Sequence, residues 1–507
     1  LLPPPPPPPD PDAALGLRRD LRFLKTYTID APGASEIDDA LSLQILPPPT
    51  PGGPIRHRVW VHIADAEAHA SPELREAAKE RGTSVYLPTR SFPMFPARAS
   101  ARMSLRAARD AQALSLCAEL APDGSLLPGS VEVAPSTVRV AYRLTYDEVD
   151  EMLAEGVGYR EEWQLGSLLA LAKRRRRWRV EEGAMEGVVA APIPVGSVAV
   201  RSDRLAEDGL AMRLSLETPR NSGRNESAAG PSFSFEPGSR SPSPGCAGGY
   251  AVSSSNLLVT EMMIMAGDAM ARWSRSLSPP LPLPFRSQPP PSYNTSPART
   301  SQHRTLRDLA AAGTGGGMCA AWAARRFFEP VVVGPSPLPH SGLGLAAGYV
   351  QWTSPIRRFS DLQVHRAVKR RLRSGRAKEL RAAGLPVPPE VPEAELEGGG
   401  APPVNFKDGE GRALKGRRVQ RDAQRYWMLE YIRRLVFGAE GDRNRHFSAM
   451  VLGYIHSERL YIIYLKDLGL ETGFRSDRHL DLGDSFRVRV RDVHPRRNYL
   501  ALAFADN

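Results

Sequence analysis

Four acidic side chains lie within ten residues near the start of the sequence, in the stretch TYTIDAPGASEIDDALS. They are Asp30, Glu36, Asp38 and Asp39. Carboxylates this close repel one another, so the cluster needs a neutralising partner, and a bound cation is the first candidate. Hard oxygen ligands suit Mg²⁺ or Mn²⁺, and magnesium keeps coordination positions open for the oxygens of a phosphodiester. The alternative is a surface loop in which an aspartate caps a helix.

The local signals around this cluster predict that its two halves meet. A strand is expected to end at Asp30, after which a proline and a glycine turn the chain. Asp38 and Asp39 follow that turn and therefore fold back towards Asp30. A calcium loop of the EF-hand type does not fit, because the alternating acids, the central glycine and the closing glutamate are missing.

A second stretch with chemical potential is YVQWTSPIRRFSDLQVHRAVKRRL, Tyr349 to Leu372. Thr353 or Ser354 is predicted to cap a helix whose first residue is Pro355. Arg357 and Arg358 would then lie in the first turn. A helix N-terminus beside a guanidinium group is a phosphate site, which supplies the positive charge that the acidic cluster lacks.

The structural alternative for this stretch is a capped amphipathic helix with solvated arginines. In that interpretation Asp361 and His365 form a pair four residues apart on the helix surface. We adopt it for these two residues and assign them no chemistry.

Three further residues are candidate contacts for a substrate. Glu261 is the one acid within the predicted apolar helix SSNLLVTEMMIMAG, and could bind a ribose hydroxyl or lie on the polar face of the helix. Tyr86 in TSVYLP and Tyr146 in RLTYDEV stand at predicted strand ends or turns. Each could stack on a base, although core packing is the commoner fate of a lone tyrosine.

The charge balance favours a polyanionic partner. The chain has 67 lysines and arginines against 56 acids, and its pI is near 9.7. The resulting positive field at neutral pH attracts nucleic acid, although a basic protein without such a partner fits the charge equally well. Three cysteines (Cys117, Cys246 and Cys319) have no disulfide or zinc spacing, which indicates a reducing compartment. No apolar run is long enough to cross a bilayer.

The length of 507 residues predicts more than one domain. Residues 1–19 are proline-rich and are expected to form an extended, disordered lead-in. An α/β region follows, with HRVWVHIAD as a strand and SPELREAAKERG and EEWQLGSLLALAKRRRRWRVEEG as helices. Low-complexity insertions are predicted near 218–254, 287–317 and 374–411, all within one domain of residues 20–440. A helix from Arg417 to Phe437 ends this domain.

Residues 446–504 alternate in about five short runs, which predicts a β-barrel of the OB type. Arg487, Arg489 and Arg491 share one face of FRVRVRDV. That face either is simply solvated or tracks RNA. In the second case Phe447, Tyr461 and Tyr464 would serve as stacking groups.

Taken in order, these stretches resemble the RNB exoribonucleases, the ribonuclease II and ribonuclease R family with its organellar relatives. The resemblance rests on DLRFLKTYTIDAPGASEIDDALS, VWVHIADAEAHASPELREAAKERGTSVYLPTRSFPMFP, SSNLLVTEMMIMAG, PHSGLGLAAGYVQWTSPIRRFSDLQVHR and RYWMLEYI. It implies an α+β fold: a catalytic domain with a mixed β-sheet and surrounding helices, followed by a C-terminal OB-fold barrel.

The resemblance also implies roles for individual residues. Asp30 and Asp39 correspond to magnesium ligands, Asp38 to the acid most directly concerned with catalysis, and Arg357 to the arginine that holds the scissile phosphate. Asp38 and Glu36 complete the expected metal-binding group, with Glu36 one methylene longer than the family's usual aspartate. The expected substrate contacts are Tyr86, Tyr146, Glu261 and Arg358.

The implied activity is magnesium-dependent, hydrolytic degradation of single-stranded RNA from its 3′ end to nucleoside 5′-monophosphates. Manganese is an alternative cation. The rival hypothesis is a catalytically inactive RNB-fold RNA-binding protein. We expect no membrane attachment, no obligate protein partner and a monomer. An organelle, chloroplast or mitochondrion, is the expected location, with the cytoplasm as the alternative.

Overall fold

The computed structural model describes residues 10–48, 51–53, 55–155, 163–184, 196–204, 210–217, 253–290, 318–319, 322–323, 329–391, 406–455 and 459–505. The predicted insertion near 218–254 lies almost wholly outside these residues, as does most of the insertion near 287–317.

The α-helices of the described residues are α1 (Pro11–Ala14), α2 (Ala66–His69), α3 (Pro72–Arg81), α4 (Ala97–Met103), α5 (Tyr146–Glu155), α6 (Trp163–Glu181), α7 (Ser254–Ser276), α8 (Phe359–Ala382) and α9 (Phe406–Phe437). The strands of the first domain are β1 (Arg19–Asp20), β2 (Thr26–Asp30), β3 (Asp39–Leu46), β4 (Arg56–Ala64), β5 (Val85–Tyr86), β6 (Ser91–Phe92), β7 (Asp110–Glu119), β8 (Glu132–Thr145), β9 (Ser197–Arg204), β10 (Leu210–Glu217), β11 (Phe285–Ser287), β12 (Val332–Gly334) and β13 (Tyr349–Val350). The C-terminal strands are β14 (His446–Ile455), β15 (Leu460–Leu465), β16 (Leu470–Phe474), β17 (Ser485–His494) and β18 (Tyr499–Phe504). Two short 3₁₀ turns cover Ser341–Leu343 and Pro495–Arg497.

The main sheet is mixed and closes on itself. Its order is β1-β8-β2-β3-β4-β7, and β8 also pairs with β7. The first half of β8 runs antiparallel to β7, whereas its second half runs parallel to β2. One long strand therefore joins the two edges, and the β2–β3 connection lies at one end of the closed sheet.

A chain of buried polar side chains crosses the inside of this closed sheet, with one member from each of five strands. The Thr26 hydroxyl bonds Ser42 at 2.9 Å, and Ser42 bonds Nε2 of His62 at 3.0 Å. Nδ1 of His62 bonds Ser115 at 2.7 Å, and Ser115 bonds Ser136 at 2.6 Å. All five side chains are fully buried. Since buried polar groups are costly unless paired, this chain favours a single strand register.

Helices cover the other face of the sheet. Apolar residues of β2, β3, β4 and β7 pack there against α6 and α7, whose contributions include Leu165, Leu168, Met262 and Met265. A second core joins the inner face of the sheet to Ile356, Phe359 and Leu362 around the start of α8. The expected mixed sheet with surrounding helices is confirmed.

Residues from Asp10 onward are folded against the rest of the domain, which differs from the disordered lead-in expected for residues 1–19; residues 1–9 lie outside the described residues. Asp12 is fully buried, and its carboxylate accepts bonds from Arg373 at 2.6 Å and pairs with Lys369 at 2.9 Å. Lys369 also donates to Asp65 at 2.7 Å, and Arg18 donates to Asp65 at 3.1 Å. The ordering has a physical reason, because a buried lysine requires the two carboxylates that surround it.

The insertion predicted near 374–411 is wrong at both ends, and its central part, residues 392–405, lies outside the described residues. Helix α8 continues to Ala382, and Ala377 and Val391 pack on Leu15. Helix α9 begins at Phe406, eleven residues before the predicted start at Arg417. Helix-forming residues on either side of the glycines therefore outweigh the composition on which the prediction was based.

The last five strands form a curled antiparallel sheet of the OB type, in the order β16-β15-β14-β17-β18. Arg487, Arg489 and Arg491 are exposed, and Val488 and Val490 between them are buried, as the alternation predicted. The stacking role expected for three aromatic residues is wrong, because all of them are buried. Phe447 and Tyr461 lie in the barrel core, and Tyr464 packs against Cys319 and Trp322 on the other face of the sheet.

No helix in the described part of the chain is both long enough and apolar enough to span a bilayer. Cys117 and Cys319 are buried and carry free thiols.

Candidate functional site

The acidic cluster lies where β2 ends and β3 begins. Asp30 is the last residue of β2 and Asp39 is the first residue of β3, and the two strands pair in antiparallel fashion. The connecting loop therefore brings both aspartates to the same end of the closed sheet. Thr145 of β8 lies beside Asp30, so Tyr146 at the start of α5 is next to the cluster.

The three aspartates of the cluster are held in an environment that favours protonation. Burial raises the pKa of Asp30 and of Asp38 to about 6 each. Burial, followed by the charges of Asp30 and Asp38, raises the pKa of Asp39 to about 7. A bound cation would favour the ionised form of these buried carboxylates, so the cluster is suited to one.

Asp38 and Arg357 form an ion pair although 319 positions separate them in the sequence. Nε of Arg357 donates to Oδ2 of Asp38 at 3.0 Å, and the backbone N–H of Ile356 donates to Oδ1 at 2.9 Å. The Asp38 side chain is buried, whereas that of Arg357 is 41% exposed. The pair therefore presents a guanidinium group, held from one side, at the mouth of the acidic cluster.

The helix expected to begin at Pro355 begins at Phe359 instead. The backbone before it is committed to tertiary contacts: the carbonyl of Arg357 accepts bonds from Ser84 N–H and the Thr83 hydroxyl, both at 2.9 Å. Ile356 N–H is used by Asp38, so it does not face a phosphate as a free helix-terminal amide would. The prediction of an anion site at that helix terminus is wrong. The group available to bind a phosphate is the side chain of Arg357.

Arg358 is bound within its own segment. Its Nε and Nη2 donate to Asp361 at 2.9 and 2.7 Å, and the same carboxylate oxygen accepts the backbone N–H of Ser354. The expected pairing of Asp361 with His365 does not form, because Nε2 of the buried His365 bonds the carbonyl of Trp352 at 3.0 Å. Arg358 therefore supports the turn that carries Arg357.

Glu36 is occupied by two hydroxyl donors. Ser84 donates to Oε1 at 2.9 Å, and the phenol of Tyr86 donates to Oε2. Burial and the Glu36 carboxylate raise the pKa of that phenol above its ordinary value. Both oxygens of Glu36 are therefore engaged in holding the β5–β6 hairpin to the acidic loop, which argues against its expected role as a metal ligand. Tyr86 is 40% exposed beside the cluster.

Tyr146 and Glu261 are expected substrate contacts, and the structure brings only Tyr146 to the acidic cluster. Burial and the charges of Asp39 and Asp30 raise the pKa of Tyr146 to about 12. Glu261 is buried in α7, where Arg179 donates to both of its oxygens at 2.5 and 2.9 Å. Because the carboxylate has this charge-balanced partner in the core, Glu261 is a structural residue of the α6–α7 interface.

The cluster offers carboxylate oxygens, the type of ligand atom that a hard divalent cation prefers. Oδ2 of Asp30 is buried and has no hydrogen-bond partner among the described residues, which is costly for a carboxylate oxygen without a ligand. Within the described ranges, no three His, Cys, Asp or Glu side chains form a ready ligand set. Magnesium is commonly held by one or two carboxylates together with water and substrate phosphate, so Asp30 and Asp39 suffice on the protein side. Each oxygen of Asp38 already accepts one hydrogen bond, from Ile356 N–H and from Arg357.

Sequence reasoning missed the residues that hold Asp38 and helix α8 in place from the side of β4. The backbone N–H of Ala64 donates to the carbonyl of Asp38 at 2.7 Å, and the next residue, Asp65, binds Lys369 of α8. Lys369 and Arg18 outweigh burial and hold the pKa of Asp65 well below its usual range. Helix α8 is thereby tied to β4 at a second point, beyond the Asp38–Arg357 pair. Lysines in helices are usually exposed to solvent, so the sequence around Lys369 gave no indication that this residue is buried and paired.

The closed mixed sheet with acids at one end, covered by helices and followed by an OB-type barrel, defines the chain as an α+β protein with one acidic site at the end of its main sheet. The RNB domain family matches residues 18–374, and the chain belongs to this family. It is 32% identical over 489 residues to an uncharacterized ribonuclease of Synechocystis sp., a match that covers 95% of this chain and 59% of the relative. It is 30% identical over 485 residues to ribonuclease II, chloroplastic/mitochondrial, of Arabidopsis thaliana, covering 94% of this chain and 49% of that protein. The chain thus spans about half the length of the curated relatives it matches.

Solved structures share the fold. Mycoplasma genitalium RNase R superimposes with a TM-score of 0.67 at 15% identity, covering 96% of this chain and 72% of that chain. Yeast Ssd1, described as a pseudonuclease, superimposes with a TM-score of 0.59 at 14% identity, covering 93% of this chain and 52% of that one. Likeness at this identity establishes the architecture and leaves activity to the residues of the site.

Proposed function

We propose that this chain is a divalent-metal-dependent exoribonuclease that hydrolyses single-stranded RNA from its 3′ end and releases nucleoside 5′-monophosphates. The observation that carries the proposal is the Asp38–Arg357 ion pair beside the unpartnered oxygen of Asp30. It brings a guanidinium group, which is suited to binding phosphate, next to carboxylates that are suited to binding a metal ion, and the two come from segments far apart in the chain. Mg²⁺ is the proposed cation, with Mn²⁺ as a substitute.

Arg357 is the residue proposed to hold the scissile phosphate. Asp38 accepts a hydrogen bond from its Nε, which restrains the guanidinium plane, and the Arg357 side chain is 41% exposed. Charge that builds on the phosphate oxygens during hydrolysis is then met by a donor that is already in position, so little reorganisation is needed. Asp38 is accordingly a positioning residue for Arg357.

Asp30 and Asp39 are the residues proposed to hold the cation. When bound, the cation would supply Lewis-acid activation of water and neutralise phosphate charge. In the overall step a water oxygen bonds to phosphorus and the P–O3′ bond breaks. The shortened RNA keeps a 3′-hydroxyl group, and the terminal nucleotide leaves with the phosphate.

Tyr86 and Tyr146 are proposed to seat the terminal nucleotides. Tyr86 is partly exposed and is tied to Glu36, which orients its ring at the cluster. Tyr146 adjoins Asp30 and Asp39 from the side of β8. Aromatic faces bind bases with little sequence preference, as an enzyme that degrades RNA of any sequence requires.

The proposal is tested with a single-stranded RNA carrying a label on its 3′-terminal nucleotide, incubated with the protein and magnesium. Immediate release of labelled mononucleotide is expected. Tight binding without release would contradict the proposal and support a catalytically inactive RNA-binding protein; yeast Ssd1, which shares the fold, is described as a pseudonuclease. Release of a longer labelled fragment would indicate endonucleolytic cleavage and would also contradict it.

An organelle is the proposed location. The support is similarity to the chloroplastic/mitochondrial protein of Arabidopsis thaliana and, at 23% identity, to a mitochondrial exoribonuclease II of Schizosaccharomyces pombe. Single-stranded RNA is the proposed partner. Fractionation of the source cells with an antibody to this chain tests the location.

A further inference from the structure

Arg143 lies near the end of β8, beside the acidic cluster at the end of β2. It pairs with Thr28 of β2 in the register that places Thr145 beside Asp30. Side chains alternate along a strand, so Arg143 and Thr145 share the face of β8 that the cluster occupies. Its Nη2 donates to the carbonyl of Ala34 at 2.6 Å. Ala34 belongs to the loop between Asp30 and Glu36, so this bond ties the acidic loop to β8.

The charges of the cluster are shared between two arginines from different elements. Arg143 opposes the effect of burial on the pKa of Asp30 more strongly than Arg357 does. For Asp38 the main opposing charge is Arg357.

Most of the hydrogen-bonding capacity of Arg143 is still open. A guanidinium group has five N–H donors in a planar fork. Among the described residues, its hydrogen bond to Ala34 uses one of them, and the residue is exposed to solvent. By contrast, Arg358 is bound to Asp361 by two donors. Arg143 is thus free to bind a further acceptor without breaking an ion pair.

We propose that Arg143 is a second phosphate-binding residue of the site, contacting the RNA backbone one nucleotide away from the phosphate held by Arg357. This inference rests on the proposed function. An RNA end brings one negative charge per nucleotide to a cluster that already contains four acids, so a single arginine leaves the bound strand poorly neutralised. Tyr146 lies three residues after Arg143, which places the base or ribose contact next to the phosphate contact.

The test measures binding of a fluorescent single-stranded oligoribonucleotide in EDTA, where hydrolysis does not interfere, at several salt concentrations. Arg143→Ala is expected to bind about tenfold more weakly, since a hydrogen bond to a charged group is lost. The slope of log affinity against log salt should fall by about 0.7, the value for one phosphate contact to a single strand. Arg143→Lys should recover part of the affinity because it keeps the charge.

Arg139 provides a matched control on the same strand. It is exposed and pairs with Asp110 at 2.6 Å, outside the acidic cluster. Arg139→Ala removes one positive charge as well, and is expected to leave both the affinity and the salt slope close to those of the unmodified chain. An equal loss in the two variants would show a general charge effect and would overturn the inference.

A role limited to fastening the acidic loop gives a different pattern. In that case Arg143→Ala would bind RNA as tightly as the unmodified chain, while kcat and the melting temperature would fall with KM unchanged. That result overturns the inference. The expected kinetic result is a rise in KM of about tenfold with kcat changed much less. If the unmodified chain itself fails to bind single-stranded RNA, the proposed function is at fault, and the inference falls with it.

Discussion

Asp39→Asn is expected to stabilise the metal-free protein, by an amount that depends on pH. The carboxyl pKa of Asp39 rises from its ordinary 3.8 to about 7 in the folded chain. At about 1.4 kcal/mol per pKa unit, this rise corresponds to an upper value of about 4 kcal/mol. The side chain is partly exposed, so solvent screening reduces the expected gain to about 2 kcal/mol.

The sign follows from proton linkage. Between pH 4 and 7 the folded state holds the Asp39 proton and the unfolded state has lost it, so unfolding releases a proton and stability falls as pH rises. The contribution is fully present below about pH 4 and is lost as pH rises through about 7. Asparagine has no such proton, so the stability difference between variant and unmodified chain should widen from pH 4 to pH 7 and then remain constant.

The assay is thermal unfolding in EDTA at intervals from pH 4.5 to 8. At pH 7.5 a gain of about 2 kcal/mol should raise the melting temperature by about 2 °C, since the unfolding entropy of a chain of 507 residues is about 1 kcal/mol/K. Asp110→Asn is the control: this exposed aspartate pairs with Arg22 and Arg139, which hold its pKa below the ordinary value, so its replacement should not stabilise. Magnesium should raise the melting temperature of the unmodified chain and not that of the Asp39 variant. A variant that is less stable than the unmodified chain at every pH would refute the electrostatic description of the cluster.

Three more predictions concern other parts of the molecule. Asp38→Asn places an amide against Nε of Arg357 and should lower kcat about 100-fold or more, the scale of losing one transition-state donor, with RNA affinity changed less than threefold; equal losses in both would contradict its positioning role. Lys369→Met leaves Asp12 and Asp65 buried with one cation fewer and should cost about 3–5 kcal/mol of stability in urea unfolding, whereas a neutral result would mean that the network is solvated. Replacing Arg487 and Arg489 by alanine should lower the salt slope of RNA binding by about one to two units, at about 0.7 per contact, and an unchanged slope would exclude that barrel face from RNA binding.

Local signals sufficed for much of the fold and for part of the site. The strand ending at Asp30 and the turn after it are specified within a few residues, so the return of Asp39 to Asp30 could be predicted. Alternation in FRVRVRDV likewise placed its arginines on the solvent side. Both features depend on short-range periodicity, which the sequence displays directly.

Features that depend on distant partners could not be predicted. Glu261 has the appearance of a functional acid on an apolar helix until Arg179, 82 positions away, is seen to neutralise it. The helix expected from Pro355 is shortened because Thr83, Ser84 and Asp38 take the backbone groups that would begin it. Tyr461 and Tyr464 lie on opposite faces of β15: Tyr461 packs in the barrel core, and Tyr464 is buried on the other face against Cys319 and Trp322.

The most direct test of the account is a double-mutant cycle between Asp38 and Arg357, measured as kcat/KM on a single-stranded RNA. The substitutions are Asp38→Asn and Arg357→Gln, alone and together. If the carboxylate acts by holding the guanidinium group against the phosphate, the double variant should be no slower than the slower single variant. Effects that multiply in the double variant would contradict the account, because they would show that the two residues act independently.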